Sequence, residues 1–253
     1  MENMFSLKDR IAVITGASRG IGEAIAHAFA ENGAHCVLVS RKIEGLEGVV
    51  ADIKKAGGSA EAIACNVGDI DQIDSLVAKI KEKFGKLDII VNNAATNPYF
   101  GPMDGIDEVR WDKTFAVNLK GPFFLIQRSI DLLAASGKAS VINVSSINGK
   151  RPAPMQGTYS ITKAALISMT QGLAKELGSK NIRVNALLPG LTKTKFSAAL
   201  MENDDIVTEV YKAIPLGRHA VPEEMSGAAL YLASDASSFT TGTCLTCDGG
   251  ALA

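Results

Sequence analysis

The chain has 253 residues, 47% of them hydrophobic, and its 26 basic and 27 acidic side chains leave a net charge of −1. No basic run suits a nucleic-acid backbone, and no apolar stretch is long enough to cross a bilayer. The four cysteines (Cys36, Cys65, Cys244, Cys247) and three histidines show no ligand spacing, so the thiols read as small apolar side chains and no metal is expected. The first residues lack the apolar core of a secretion signal, and a cytoplasmic location is the expectation.

Short β-branched runs alternate with longer helical patterns along the whole chain, which predicts an α/β fold. The expectation is a single domain, 1–253, built as a Rossmann-type doubly wound parallel sheet of about seven strands with helices on both faces. The first strand, 10–15, runs into Thr15-Gly16-Ala17-Ser18-Arg19-Gly20-Ile21-Gly22 and then a helix over 20–32. Glycines let a backbone turn sharply and approach a pyrophosphate, and a helix N-terminus offers free N–H groups. Gly16, Ser18, Arg19, Gly20, Ile21 and Gly22 are therefore candidate dinucleotide contacts. The spacing is Gly-x-x-x-Gly-x-Gly rather than the commoner Gly-x-Gly-x-x-Gly.

The second strand, 35–39, ends in Val39-Ser40-Arg41-Lys42, with no acid at its tip. An acid there would hold a ribose 2′-hydroxyl and an arginine a 2′-phosphate. Ser40 and Arg41, with Arg19 approaching from the glycine turn, favour NADP(H), while Glu44 keeps NAD(H) open. A helix over 43–56, a strand over 60–64 leading to Asn66-Val67, and a helix over 70–84 follow. The fourth strand, 87–91, leads to Asn92-Asn93-Ala94-Ala95, and a long helix over 107–135 carries Asn118.

A strand over 140–144 precedes Ser145 and Ser146, and a helix over 156–178 carries Tyr159 and Lys163. Residues four apart share a helix face, so the Lys163 ammonium is expected near the Tyr159 phenol. A phenol loses its proton near pH ~10, and acid–base work near neutrality needs a fall of roughly 2–3 units. One cation about 4 Å away at an effective dielectric of about 20 supplies roughly that. The sixth strand, 182–187, leads to Pro189-Gly190 and Thr192. An amphipathic stretch, 191–218, then interrupts the rhythm before a helix over 222–233 and a last strand over 243–246. Lying beyond the carboxyl ends of the strands, where ligands sit in such sheets, it is a candidate substrate lid.

The glycine turn, Asn92-Asn93-Ala94-Ala95, Asn118, Ser146, Tyr159, Lys163 and Pro189-Gly190, in this order, resemble the classical short-chain dehydrogenase/reductase family over nearly the whole chain. The resemblance implies a catalytic tetrad of Asn118, Ser146, Tyr159 and Lys163. Tyr159 is the acid–base, Lys163 lowers its pKa and holds the nicotinamide ribose, Ser146 binds the substrate oxygen and Asn118 holds a water. It prefers Ser146 to Ser145, because Ser146 begins a Ser-x-x-Gly unit. It places Asn93 and Ala94 at the adenine half, Asn66 and Val67 beside the adenine, and Pro189, Gly190 and Thr192 at the nicotinamide. Ala95 and Asn66 depart from the family's usual Gly and Asp, although the Asn66 carbonyl oxygen can still accept a hydrogen bond.

The candidate pocket residues, Asn97, Pro98, Phe100, Ile147, Pro152, Met155, Phe196 and Met201, are mostly apolar, which suggests a small apolar ketone, aldehyde or secondary alcohol. The stretch from Asn93 to Gly101 is similar to NADPH-dependent carbonyl and retinal reductases, without the Ser-Lys-Leu address of their peroxisomal members. A 3-oxoacyl-carrier-protein or CoA reductase is an alternative, for which Lys138 and Lys180 stand near the positions that dock an acidic carrier. A non-catalytic dinucleotide sensor is another, although such a protein is expected to lose the Tyr or the Lys. By family analogy Trp111, Phe115, Phe123, Phe124, Leu166 and Met169 pair across a two-fold axis, and residues 249–253 form another interface of a homotetramer.

Overall fold

The computed structural model describes residues 3–197 and 204–253. Seven parallel strands, β1 (Ile11–Thr15), β2 (His35–Ser40), β3 (Ser59–Ala64), β4 (Ile89–Asn92), β5 (Ala139–Val144), β6 (Ile182–Pro189) and β7 (Cys244–Cys247), form one sheet in the order β3-β2-β1-β4-β5-β6-β7. Successive strand residues face opposite sides. Ala12 and Ile14 of β1, Cys36 and Leu38 of β2, and Ile89 and Val91 of β4 enter one core, while Val13, Val37, Val39 and Ile90 enter the other. A sheet buried on both faces reads as nearly continuous hydrophobic runs, and β1, Ile-Ala-Val-Ile-Thr, is such a run.

The first core is covered by α1 (Gly20–Glu31), α2 (Glu44–Lys55) and α9 (Ser226–Ala233), the second by α3 (Ile70–Phe84), α5 (Gly121–Arg128), α6 (Ile130–Ser136) and α7 (Gly157–Leu177). α4 (Glu108–Phe115) precedes α5, and α8 (Asp204–Lys212) lies in the expected lid. α3 starts where the Asp69 carboxylate accepts from the N–H groups of Asp71 and Gln72, and it stops at left-handed Gly85. No helix of the described residues is long and apolar enough to cross a membrane. The four cysteines are free thiols. Burial pushes Cys36 up to about 12, whereas Cys244 and Cys247 are only half-buried.

The expected helix over 107–135 is interrupted. Between α4 and α5 the chain makes a π-helical turn, Ala116–Lys120, in which the Gly121 N–H donates to the Ala116 carbonyl. Residue 122 is proline and has no N–H to give the Asn118 carbonyl, so the ordinary i→i−4 ladder cannot pass this point. A break at Ser129 then separates α5 from α6. Strand order reverses between β1 and β4, and the crevice beyond their carboxyl ends is where such sheets take ligands.

Candidate active site

The glycine turn, Asn93-Ala94, Ser146 and Gly190 all follow the carboxyl ends of their strands. After β1, Gly16 and Gly20 adopt φ of +67° and +62°, and the Gly16 N–H donates to the Val39 carbonyl at 2.8 Å. The Thr15 hydroxyl accepts from the N–H groups of Asn93 and Ala94, both at 3.0 Å, and the Asn93 amide donates to the Thr15 and Gly16 carbonyls at 2.9 and 3.2 Å. Asn93 and Ala94 thus hold the glycine turn in shape. A Cβ on Gly22 would fall 2.4 Å from the Asn93 amide nitrogen and 2.5 Å from the Gly16 carbonyl oxygen, so no larger residue fits. Arg19, exposed and extended at the N-cap of α1, supplies no side-chain cap. Positive φ, crowded backbone and an uncapped helix start fit a pyrophosphate.

Around this turn, Ser18 stands against Gly45 of α2, where an added Cβ would lie 3.2 Å from the Ser18 Cβ. The tip of β2 is therefore a neighbour of the turn, and Arg41, exposed, directly follows that tip. The Ser40 hydroxyl turns back to donate to the Lys42 carbonyl at 2.7 Å. Beyond β3, the Asn66 side-chain oxygen accepts from the Gly68 N–H at 3.2 Å and keeps one lone pair, while Val67 is buried.

Asn118 is buried in the π turn. Its Oδ1 accepts from the Thr96 N–H at 2.8 Å, and its Nδ2 donates to the Thr96 carbonyl at 2.9 Å and the Thr162 hydroxyl at 3.2 Å. Its side chain is thus occupied in tying the 93–97 loop to α7. Asn92 is likewise structural, donating to the Asn143 side chain at 2.9 Å.

The structure separates the two serines. Ser145 is buried and donates to the Lys163 carbonyl at 2.8 Å, whereas the Ser146 hydroxyl accepts from the Asn148 N–H at 3.1 Å and hydrogen-bonds the Tyr159 phenol. The Ser-x-x-Gly unit matters because a Cβ on Gly149 would fall 2.8 Å from the Lys163 carbonyl carbon and oxygen, so only glycine lets this turn lie on α7. Tyr159 and Lys163 are both buried. The Lys163 ammonium donates to the Val144 carbonyl at 2.7 Å and lies 5.5 Å from the centre of the Tyr159 ring.

This geometry corrects the expected electrostatics. Burial pushes the Tyr159 phenol up to about 12, with the Ser146 hydrogen bond working the other way, and burial pushes Lys163 down to about 7. A nearby cation lowers a phenol's pKa, but desolvation of both groups outweighs that effect here.

Past β6, Gly190 donates to the Cys247 carbonyl, and the Thr192 hydroxyl, buried, donates to the Gly190 carbonyl at 3.2 Å. Thr194 is the hydroxyl residue that approaches the glycine turn: its Cγ2 lies 3.3 Å from the position of a Cβ on Gly20. The resemblance pointed to Thr192, whereas Thr194, which the sequence reading did not single out, is the one beside the turn. Phe196 rests on the Tyr159 ring, with centroids 5.5 Å apart. Met103, also missed, packs so closely on the first residue of α7 that a Cβ on Gly157 would fall 2.3 Å from its sulfur. Met201 lies outside the described residues.

A Rossmann sheet with a crowded glycine turn and a Ser–Tyr–Lys cluster across its crevice defines an NAD(P)-dependent oxidoreductase. The family model described as enoyl-(acyl carrier protein) reductase matches residues 16–251. Dehydrogenase/reductase SDR family member 4 of Bos taurus is 37% identical over 97% of this chain and 88% of that one. The 3-oxoacyl-[acyl-carrier-protein] reductase FabG of Thermotoga maritima is 37% identical over 96% and 98%. A gluconate 5-dehydrogenase from Burkholderia cenocepacia J2315, solved in complex with NADP and tartrate, superposes with a TM-score of 0.94 at 31% identity, covering 98% and 97%. The chain belongs to the short-chain dehydrogenase/reductase family.

Proposed function

We propose that the protein transfers hydride between NADP(H) and the carbonyl or alcohol carbon of a small, mostly apolar ketone, aldehyde or secondary alcohol. The observation that carries this reading is the Ser146–Tyr159–Lys163 cluster facing the crevice beside an uncapped glycine turn. When bound, the nicotinamide supplies or accepts the hydride. Ser146 and Tyr159 hydrogen-bond the substrate oxygen, and Tyr159 gives it a proton in reduction or takes one in oxidation. Lys163 orients the nicotinamide ribose and assists the phenol. Asn118 holds the loop and α7 together at this point, and its main-chain carbonyl, which Pro122 cannot engage, is suited to a water that relays protons to Lys163. The chain acts as one dinucleotide-binding catalytic domain with 191–218 as its lid.

Gly16, Gly20, Ile21 and Gly22 form the pyrophosphate cradle, with Asn93 and Ala94 behind it. Asn66 and Val67 lie toward the adenine, and Pro189, Gly190 and Thr194 toward the nicotinamide. Arg19 in the glycine turn and Arg41 just past the β2 tip, where there is no acid, favour the 2′-phosphate. Arg41→Ala is expected to weaken NADPH binding by about 10- to 100-fold, as for loss of one charge-assisted contact, while NADH binding changes little. Parallel titrations of both dinucleotides check this, and an equal loss for both would remove Arg41 from 2′-phosphate recognition.

A 3-oxoacyl reductase is the second reading, favoured by the similarity to the T. maritima enzyme. The Lys138 ammonium is paired with Asp235 at 2.9 Å, and Lys138 and Lys180 both lie just ahead of β5 and β6, at the amino edge of the sheet and away from the crevice, so neither supports docking of an acidic carrier at the site mouth. For assembly as a homotetramer, the support is an apolar groove lined by Phe115, Leu119, Phe123, Ala165 and Met169 on α4, the π turn, α5 and α7. Leu166, by contrast, is buried within the chain itself. Light scattering is expected to give four times the chain mass, and a monomer would overturn this assembly.

A further inference from the structure

Three non-glycine residues among those described have a left-handed backbone: Asp9 at φ +61°, Asn181 at +56° and Met155 at +65°. Short polar side chains tolerate this region, because they can hydrogen-bond locally. Methionine gains nothing of the kind, and a glycine would sit there without strain. Met155 is also 41% exposed, so burial does little to offset that strain.

Its position supplies a reason. The Met155 carbonyl accepts the Gly101 N–H at 2.9 Å, which fastens the loop bearing Phe100 to the start of α7, and Tyr159 follows four residues later. Phe196 approaches Tyr159 from the lid side. Phe100 and Phe196 are 48% and 49% exposed, so with Met155 three large apolar side chains remain open to water on segments that meet the Tyr159 end of α7. Strained residues held in place at such a junction are a mark of function.

We propose that Met155 is a specificity-determining residue, its thioether side chain forming with Phe100 and Phe196 an apolar wall that selects bulky over compact carbonyl substrates. The inference rests on the carbonyl-reductase reading above. It predicts that Met155→Gly and Met155→Ala share one effect and differ in another. Both remove the wall, so the ratio of kcat/KM for propiophenone to that for butanone is expected to fall about tenfold. That is the worth of about two buried methylene groups, and the loss should lie in KM. Glycine relieves the backbone and alanine does not, so Met155→Gly is expected to melt about 2 °C above Met155→Ala.

Steady-state kinetics with NADPH and thermal melts of the wild type and both variants decide it. A wild-type protein inactive on both ketones overturns the carbonyl-reductase reading and this inference with it. An active wild type whose variants keep the ketone ratio overturns the specificity role alone. Equal melting temperatures for the two variants also overturn the inference, because the conformational cost on which it stands would be absent.

Discussion

In the Tyr159→Phe protein, carbonyl reduction is expected to fall by about 10³-fold, within the range for loss of a general acid, while NADPH binds within about twofold of its original affinity. The asymmetry follows from what the substitution removes. Tyr159 is only 7% exposed, and phenylalanine fills nearly the same volume, so the contact with Phe196 and the packing of α7 on the sheet persist. Only the hydroxyl is lost, and with it one hydrogen bond to Ser146, whose oxygen still accepts from the Asn148 N–H. A net loss of about 1 kcal/mol from that bond leaves the fold intact. NADPH oxidation by a panel of ketones gives the rate, and fluorescence titration gives the affinity. Turnover near the wild-type rate would place the proton donor elsewhere, and a matching collapse of NADPH binding would mean that the phenol is structural.

The sheet and the order of its motifs were legible because each depends on local chemistry. β-branched runs of four to eight residues, glycines at a strand-to-helix turn, and a Tyr–Lys pair on one helix face are all visible within short windows. Features that depend on contacts between distant segments were not. The Ser-x-x-Gly unit singled out Ser146, but what Ser145 does appears only once α7 brings the Lys163 carbonyl to it. Thr194 became distinguishable from Thr192 only when the turn after β6 was seen against Gly20. The π turn at Asn118 was partly encoded, since Pro122 forbids the regular ladder, but apolar periodicity runs through the break and conceals it.

The Tyr159–Lys163 pair shows the limit of a sequence-level energy argument most directly, and it yields the second large effect. Lys163→Met is expected to lower kcat/KM for reduction by about 10²- to 10³-fold, because the amine proposed to orient the nicotinamide ribose and assist the phenol is gone. It is also expected to alter the pH dependence of stability in a definite direction. The Lys163 pKa is about 7 in the folded protein against an ordinary 10.5. Between those values the unfolded chain binds a proton that the folded chain lacks, so unfolding free energy rises with pH across that window and is unaffected by Lys163 outside it. A shift of this size is worth on the order of 5 kcal/mol, and methionine does not titrate. The stability of Lys163→Met relative to wild type should therefore be greatest below pH ~7 and decline steadily toward pH ~10. Loss of the hydrogen bond to the Val144 carbonyl adds a cost of about 1–3 kcal/mol that is the same at every pH, so the slope, not the offset, carries the test. Urea unfolding of both proteins without added dinucleotide, at a series of pH values, measures it. A difference that stays flat would show that Lys163 titrates as an ordinary lysine, and the case for desolvation as the dominant force in this site would fail.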